Sequence, residues 1–339
     1  MSIDFKIFQA LEKNIIDAGL CKGCGTCVLA CEFEFIKMEN NIPVYIGKSV
    51  CANCGMCLYI CPSISKSSVN ISKSLNKPLF YQARSNDIDF TEFGQVAGVT
   101  NTLAYTALMK GIKAIRSLKE GENITDIQSF NAYNKDQLLE GSGGKFFLAP
   151  ISVEVDDPNK QEIESNLFIG LPCTLSSINT LQKYKFKNLN EIIKIKIGLF
   201  CRGILDPDKF KDFIIKRNLD LNSIIKINYF KKKNDQRILK LKLEKENVSI
   251  NLEEKEWSQL VWEGCQYCHD FLAESSDLSI GWEGVPPGWQ SIVVFTEIGN
   301  ELLKFAINKK LLEIEPLPQE SVKELNRIHE LKDKNAKFV

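Results

Sequence analysis

The feature that most constrains this chain is a doubled cysteine run near its start. Residues 21–31 read CKGCGTCVLAC and residues 51–61 read CANCGMCLYIC; each is C-x2-C-x2-C-x3-C, and Pro62 closes the second. This is the ligand pattern of a two-cluster 4Fe–4S module. Three thiolates in one tight loop reach three corners of a cubane, and the loop cannot wrap far enough to supply the fourth. The last cysteine of each run therefore serves the other cluster. The spacing predicts one cluster on Cys21, Cys24, Cys27 and Cys61 and a second on Cys51, Cys54, Cys57 and Cys31. Gly25 and Gly55 fall where backbone must pass close to sulfur without a side chain in the way. Glu32 stands in the first run where Pro62 stands in the second. Zinc ribbons also use CxxC pairs, but as two pairs about 15–20 residues apart, so the repeat argues for iron and sulfide.

The remaining bulk properties narrow the setting. Twelve cysteines in 339 residues are too few per length for a small secreted disulfide scaffold. The opening stretch MSIDFKIFQALEKN carries charges where a secretory signal needs an apolar core. Both points predict a reducing, cytoplasmic setting and metal ligation. Forty-three basic residues balance forty-three acidic ones, so nucleic-acid binding has no global electrostatic support. An anionic ligand would need a local cluster of Lys and Arg. No apolar run approaches the ~18 residues of a membrane span, which predicts no direct membrane insertion.

Four cysteines lie outside the repeat: Cys173 in GLPC, Cys201 in GLFC, and Cys265 and Cys268 in CQYC. LFIG at 167–170 reads as a short buried strand, and after Pro172 the residues Leu175, Ile178 and Leu181 follow helical spacing. Residues 192–200 alternate, with Ile193, Ile195, Ile197 and Leu199 on one side and Lys194 and Lys196 on the other. Cys173 and Cys201 thus fall at strand ends, where open α/β sheets bind ligands. On spacing alone the four are equally a third metal site or buried core thiols.

Over residues 15–305 the sequence resembles the coenzyme F420 hydrogenase/dehydrogenase beta-subunit family. The resemblance rests on AGVTNTLAYTALMKGIKAI (97–115), FIGLPCTLSSINTL, IGLFCRG, and above all CQYCHDFLAESSDLSIGWEGVPPGWQSIVVFTEIGNEL (265–302). It implies a third 4Fe–4S cluster on Cys173, Cys201, Cys265 and Cys268, a bound FAD, and coenzyme F420, an anionic deazaflavin, as substrate. Where that family often has a double glycine before the first body helix, this chain keeps only Gly98, after Ala97. The loop GSGGKFFLAP (141–150) is richer in glycine than usual. Both departures bear on flavin contacts.

Candidate ligand contacts follow from these motifs. Gly98, Val99, Thr100 and Asn101 would present backbone N–H groups at a helix start to a diphosphate. The Gly143–Gly144–Lys145 loop would cradle phosphate. Pro172, Thr174, Arg202, Asp270 and Trp289 complete the cofactor-binding set, with Lys145 and Arg202 as local cations. Trp282, like Trp289, would wall off a ring. His269, next to the cysteine pair, is a candidate proton relay, and no other catalytic residue is assigned.

The expected architecture combines an α+β, ferredoxin-like two-cluster module (1–75) with an α/β flavin-binding body built on a mixed sheet (76–315). A C-terminal helical tail (316–339) follows, in which Val322, Leu325, Ile328 and Leu331 share one face that would cover the body or, less favoured, bind a partner. Leu239, Leu241 and Leu243, then Val248, Ile250 and Leu252, read as a hairpin with charged edges. The expected activity is electron transfer between the deazaflavin, FAD and single-electron carriers. The partner would be a larger redox enzyme, such as a hydrogenase, formate or carbon monoxide dehydrogenase or a membrane electron-transport complex, or else ferredoxin. Two alternatives remain open: a ferredoxin-dependent flavin reductase acting on another substrate, and an electron-wiring subunit without flavin catalysis.

Overall fold

The computed structural model describes residues 6–47, 51–64, 74–94, 97–149, 166–186, 189–231 and 237–336. The junction between the cysteine repeat and the body, at 65–73, lies outside them, as does Pro150 at the end of the glycine loop.

The two cysteine runs fold alike because their sequences are alike. In each, a glycine in the left-handed conformation (Gly25, φ +74°; Gly55, φ +77°) opens a single helical turn, Thr26–Leu29 or Met56–Tyr59. The third cysteine sits on that turn and the fourth lies just beyond it. A hairpin of β1 (Ile36–Glu39) and β2 (Ile42–Tyr45) follows the first run. The helix Lys6–Leu11 and the π-turn after it bring Phe8, Leu11 and Ile15 onto Leu20, Ile36, Cys57 and Cys61, giving the module its own apolar core.

The body strands, in chain order, are β3 (Ser74–Ser85), β4 (Ala114–Glu120), β5 (Ile127–Ala132), β6 (Asn166–Gly170), β7 (Ile193–Leu199), β8 (Ile224–Lys231), β9 (Arg237–Leu243), β10 (Asn247–Leu252), β11 (Leu278–Gly281), β12 (Gln290–Thr296) and β13 (Leu312–Pro316). A mixed eight-stranded sheet runs β13-β3-β12-β11-β7-β6-β4-β5. Its centre is parallel, with β11 on β7, β7 on β6 and β6 on β4, and the flanks are antiparallel. Strand β6 shows why both faces are covered. Leu167 and Ile169 point to one side and Phe168 to the other, the two-residue period of a strand. Leu103, Ala104 and Ala107 of helix Val99–Met109 and Leu302, Leu303 and Ala306 of helix Glu297–Asn308 cover the first face. Leu175, Ile178 and Leu181 of helix Pro172–Lys183 cover the second.

The expected hairpin is present as β9–β10, with Leu241 opposite Val248 and Leu239 opposite Ile250. Adding β8 makes a separate three-stranded sheet. It closes over a second core that contains Phe147, Phe210, Leu239, Leu241 and Trp257. The tail is a helix, Gln319–Asn335, whose Leu325 and Ile328 are buried against Phe271, Val293 and Phe295. It covers the body through Val322, Leu325 and Ile328, whereas Leu331, expected on the same face, is exposed.

The module is packed onto the body over a dense seam. Leu29, Ala30 and Ile60 join the cluster built on helix Pro172–Lys183, and Ser177 Oγ donates to the Ile60 carbonyl at 2.8 Å. Trp262 Nε1 donates to the Cys21 carbonyl at 2.6 Å. Tyr267, inside the CQYC pair, packs on the module core. A Cβ at Gly264 would stand 2.1 Å from the Cys21 carbonyl oxygen, so only glycine fits. Gly264→Ala should therefore push the body off the first cysteine run and destabilise the protein by about 1–3 kcal/mol, the usual cost of overpacking. Thermal unfolding should show the midpoint falling by several degrees. An unchanged midpoint would mean that the seam has slack.

Candidate functional site

The twelve thiols fall into three groups. Burial and the neighbouring Cys24 and Cys61 push the Cys21 thiol up to about 12. Burial, with Cys24, Cys21, Cys61 and Cys57 close by, holds Cys27 well above the usual thiol range. Cys57 is pushed up to about 11 by burial, and Cys54, Cys51 and Cys31 add to it. The last cysteine of each run thus lies with the opposite run: Cys61 beside Cys21, Cys24 and Cys27, and Cys31 beside Cys51, Cys54 and Cys57. Burial likewise pushes Cys265 up to about 12, with Cys201 and Cys268 as its thiol neighbours. Cys173 is held well above its ordinary range by burial, then by Cys24, Cys268, Cys201 and Cys265. Cys173 therefore stands between the body group and the first group.

Such thiols are protonated at neutral pH when nothing is bound, and metal ligation requires the thiolate. Iron would replace those protons and remove the cost of gathering the charge. Among the described residues, no three His, Cys, Asp or Glu side chains converge as around a single metal ion.

The fold places the body thiols by its parallel strands. Cys173 is the second residue of the helix after β6, and Cys201 follows β7. Both lie at the carboxyl edge, the ligand edge of an open α/β sheet. A cavity of about 250 Å3 opens at this same edge, where Ser117 of β4, Gly170 of β6, Leu199 of β7 and Gly281 of β11 line it. Cys24, Cys173 and Cys201 reach it from two of the thiol groups.

Most of the sequence-predicted cofactor residues meet there. Gly98, Thr100, Asn101, Gly143, Gly144, Lys145, Thr174 and Arg202 all line the cavity. Gly98 is left-handed (φ +69°), and a Cβ there would stand 2.5 Å from the Phe90 carbonyl oxygen. Asn101 Nδ2 donates to Ser142 Oγ at 2.6 Å, tying the helix Val99–Met109 to the glycine loop. Arg202 Nε donates to Glu283 Oε1 at 2.9 Å.

Four cofactor candidates sit elsewhere, each for a visible reason. The Val99 N–H is already used, donating to Gln290 Oε1 at 3.0 Å, so it is not free for a diphosphate. Pro172 is buried as the first residue of its helix. Asp270 turns its carboxylate onto its own loop, accepting from the Ala273 and Glu274 N–H groups at 2.7 and 3.2 Å. Trp289 lies under the Arg84 guanidinium, 5.0 Å from ring centroid to carbon. His269 also stays outside the cavity wall, its Nδ1 3.1 Å from Asp333 Oδ1.

Three features escaped the sequence reading. Tyr229 and Trp257, ring centroids 4.6 Å apart, join Trp282 as an aromatic wall of the cavity. Nothing in their spacing announces this, because β8 and the helix Glu254–Leu260 meet Trp282 only in three dimensions. Glu283, buried on the cavity wall, pairs Arg202 through one oxygen, and its Oε2 has no hydrogen-bond partner. Lys332 comes from the far end of the chain to donate to the Cys201 and Asp270 carbonyls at 2.6 and 2.8 Å. Burial opposes its charge, yet Cys268, Cys201 and Cys265 hold its ammonium above the ordinary lysine range.

Residues 163–320 match the family model for the C terminus of the coenzyme F420 hydrogenase/dehydrogenase beta subunit, and residues 13–62 match that of a 4Fe-4S dicluster domain. The chain thus carries a domain matching the C terminus of that beta subunit beside a 4Fe-4S dicluster domain. Among curated relatives, a coenzyme F420-dependent sulfite reductase of Methanocaldococcus jannaschii is 27% identical over 96% of this chain and 53% of its own length. The chain thus spans about half of that relative. A component of the F420H2 dehydrogenase of Methanosarcina mazei is 24% identical, over 95% of this chain and 91% of its own. One polypeptide of the F420-reducing [NiFe] hydrogenase complex from Methanosarcina barkeri superposes with a TM-score of 0.68, at 19% identity, over 78% of this chain and 90% of that one. That likeness establishes the shared fold. Among the described residues no helix is long and apolar enough to cross a membrane.

Lys145 offers a direct test of the cavity's electrostatics. Its ammonium donates to the Ser142 carbonyl at 2.9 Å, and Glu120 is 3.9 Å away. Burial, with Lys226 adding to it, lowers its pKa despite Glu120. A lysine with a depressed folded pKa binds fewer protons than the unfolded chain between that pKa and the ordinary value near 10.4, so stability rises with pH across that window. Lys145→Met should therefore be more stable than the native protein at neutral pH, with the gain shrinking as pH climbs toward 10. Thermal midpoints against pH measure this; a constant difference between the two proteins would contradict it.

Proposed function

We propose that this chain is a coenzyme F420 oxidoreductase subunit. It would exchange hydride between the deazaflavin and a bound FAD, and pass single electrons to or from a partner. Three 4Fe–4S clusters would sit on Cys21, Cys24, Cys27 and Cys61, on Cys31, Cys51, Cys54 and Cys57, and on Cys173, Cys201, Cys265 and Cys268. The observation that carries the reading is the shared wall: thiols from two of these sets line the same cavity as Lys145 and Arg202. When bound, the flavin supplies the exchange between two-electron hydride chemistry and one-electron carriers.

The residues present fit such a ligand. In a chain of zero net charge, Lys145 and Arg202 supply positive charge for phosphates and for an anionic coenzyme. Thr100, Asn101, Thr174 and the backbone of Gly143 and Gly144 would hold the polar parts. Tyr229, Trp257 and Trp282 offer a flat apolar wall to a ring system. The unpartnered Glu283 Oε2 would accept an N–H from that ring, which offsets the cost of burying it. Cys54 is exposed, so the second set lies where a partner would exchange electrons.

The partner in this reading is a larger redox enzyme, in line with the dehydrogenase and hydrogenase names of the relatives, or ferredoxin. The sulfite reductase favours a second version, in which the electrons pass to a reductase that acts on an acceptor such as sulfite.

Anaerobic purification followed by stopped-flow mixing tests the proposal. The protein should carry about 12 irons with matching sulfide, together with FAD, and reduced deazaflavin should bleach the flavin absorbance. Full iron without FAD would favour a wiring role. FAD that stays oxidised would exclude the deazaflavin as donor. A colourless, zinc-containing protein would overturn the cluster assignment.

A further inference from the structure

The helix Gln319–Asn335 lies on the body through Leu325 and Ile328, and one residue near its end does something other than pack. Lys332 Nζ donates to the carbonyl of Cys201, 131 residues away, and to that of Asp270, 62 residues away. Cys201 ends the β7 edge, and Asp270 stands two residues after Cys268. The ammonium therefore bridges the two backbone turns that carry these thiols. Asp270 attracts the ammonium, but the nearby carboxylates also serve other partners. The Asp270 carboxylate accepts from the Ala273 and Glu274 N–H groups, and Asp333 faces His269. The largest cation of the cavity side, Arg202, is turned onto Glu283.

We propose that Lys332 is a positioning residue that sets the reduction potential of the cluster on Cys173, Cys201, Cys265 and Cys268, by holding one fixed positive charge against its thiolate shell. This rests on the reading of those four cysteines as ligands. A cluster that accepts one electron becomes one charge more negative. A fixed cation beside it favours that reduced state and raises the midpoint, and net charge and hydrogen bonds at the sulfurs are the protein's levers on such potentials. Removing the charge lowers the midpoint. A lysine that only clamped the helix would affect stability and leave the midpoint alone.

An anaerobic, EPR-monitored redox titration of the full chain separates these cases. The body cluster is identified as the signal lost in Cys268→Ser. Lys332→Met should shift that signal to a more negative midpoint and leave the two ferredoxin-type signals in place, while Lys332→Arg should stay near the native value. Where Lys332→Met fails to retain the cluster, Lys332→Gln, a shorter neutral donor, is read by the same criterion. A body cluster whose midpoint is the same with and without the charge overturns the role of Lys332 and leaves the ligand assignment standing. Absence of any third signal in the native protein, with iron for two clusters only, overturns the ligand assignment itself.

Discussion

The structure depends on how closely the backbone at Cys21 is pressed against the body. Trp262 caps the Cys21 carbonyl, Gly264 lies beneath it with no room for a side chain, and Tyr267 continues into the module core. These three residues lead into and through the Cys265–Cys268 pair. The same few angstroms of contact therefore fix the first cysteine run and half of the body thiols. A repeat module tethered loosely to an enzyme would have no use for such a seam. Here the module's Leu29, Ala30 and Ile60 share a core with the helix Pro172–Lys183 that carries Cys173 in its first turn, so the two parts behave as one packing unit.

The cavity follows from strand direction. Four neighbouring parallel strands end on one side, and a chain leaving each of them must turn there. The turns after β6 and β7 carry Cys173 and Cys201, and the turn after β11 carries Trp282 and Glu283. The antiparallel flank contributes Gln290, which takes the N–H of Val99 and so closes a helix terminus that would otherwise face the cavity. The three-stranded sheet closes the remaining side with Tyr229 and Trp257. The result is one cavity lined by glycine loops, cations, aromatic rings and thiols.

Much of this was legible in the residues. The cysteine repeat announced its own local fold, because left-handed glycines at equivalent places produce equivalent turns. The alternation of Ile193 to Leu199 gave a true strand, and the tail periodicity gave a true covering helix. The glycine loop and Arg202 were legible as motifs, and they meet at one cavity. What failed did so for want of partners. A glycine-led helix start suggests free N–H groups, but a glutamine 191 residues away takes the first of them. Asp270 beside a cysteine pair suggests a site residue, yet it serves its own turn. Lys332 and Glu283 carry no local signal at all; their surroundings are assembled from segments that the linear pattern does not connect.

The position of Lys332 has a consequence for how such a protein is made. The paired runs of the module are complete within the first 62 residues, so their thiols can be gathered early in synthesis. The body thiols span Cys173 to Cys268, and a helix that ends at Asn335 reaches back to tie two of the backbone turns around them. Insertion of iron and sulfide there would have to wait until that helix has left the ribosome. On the proposed cluster assignment, maturation would then run in two stages, and a product lacking that helix would emerge with its module loaded and its body thiols empty.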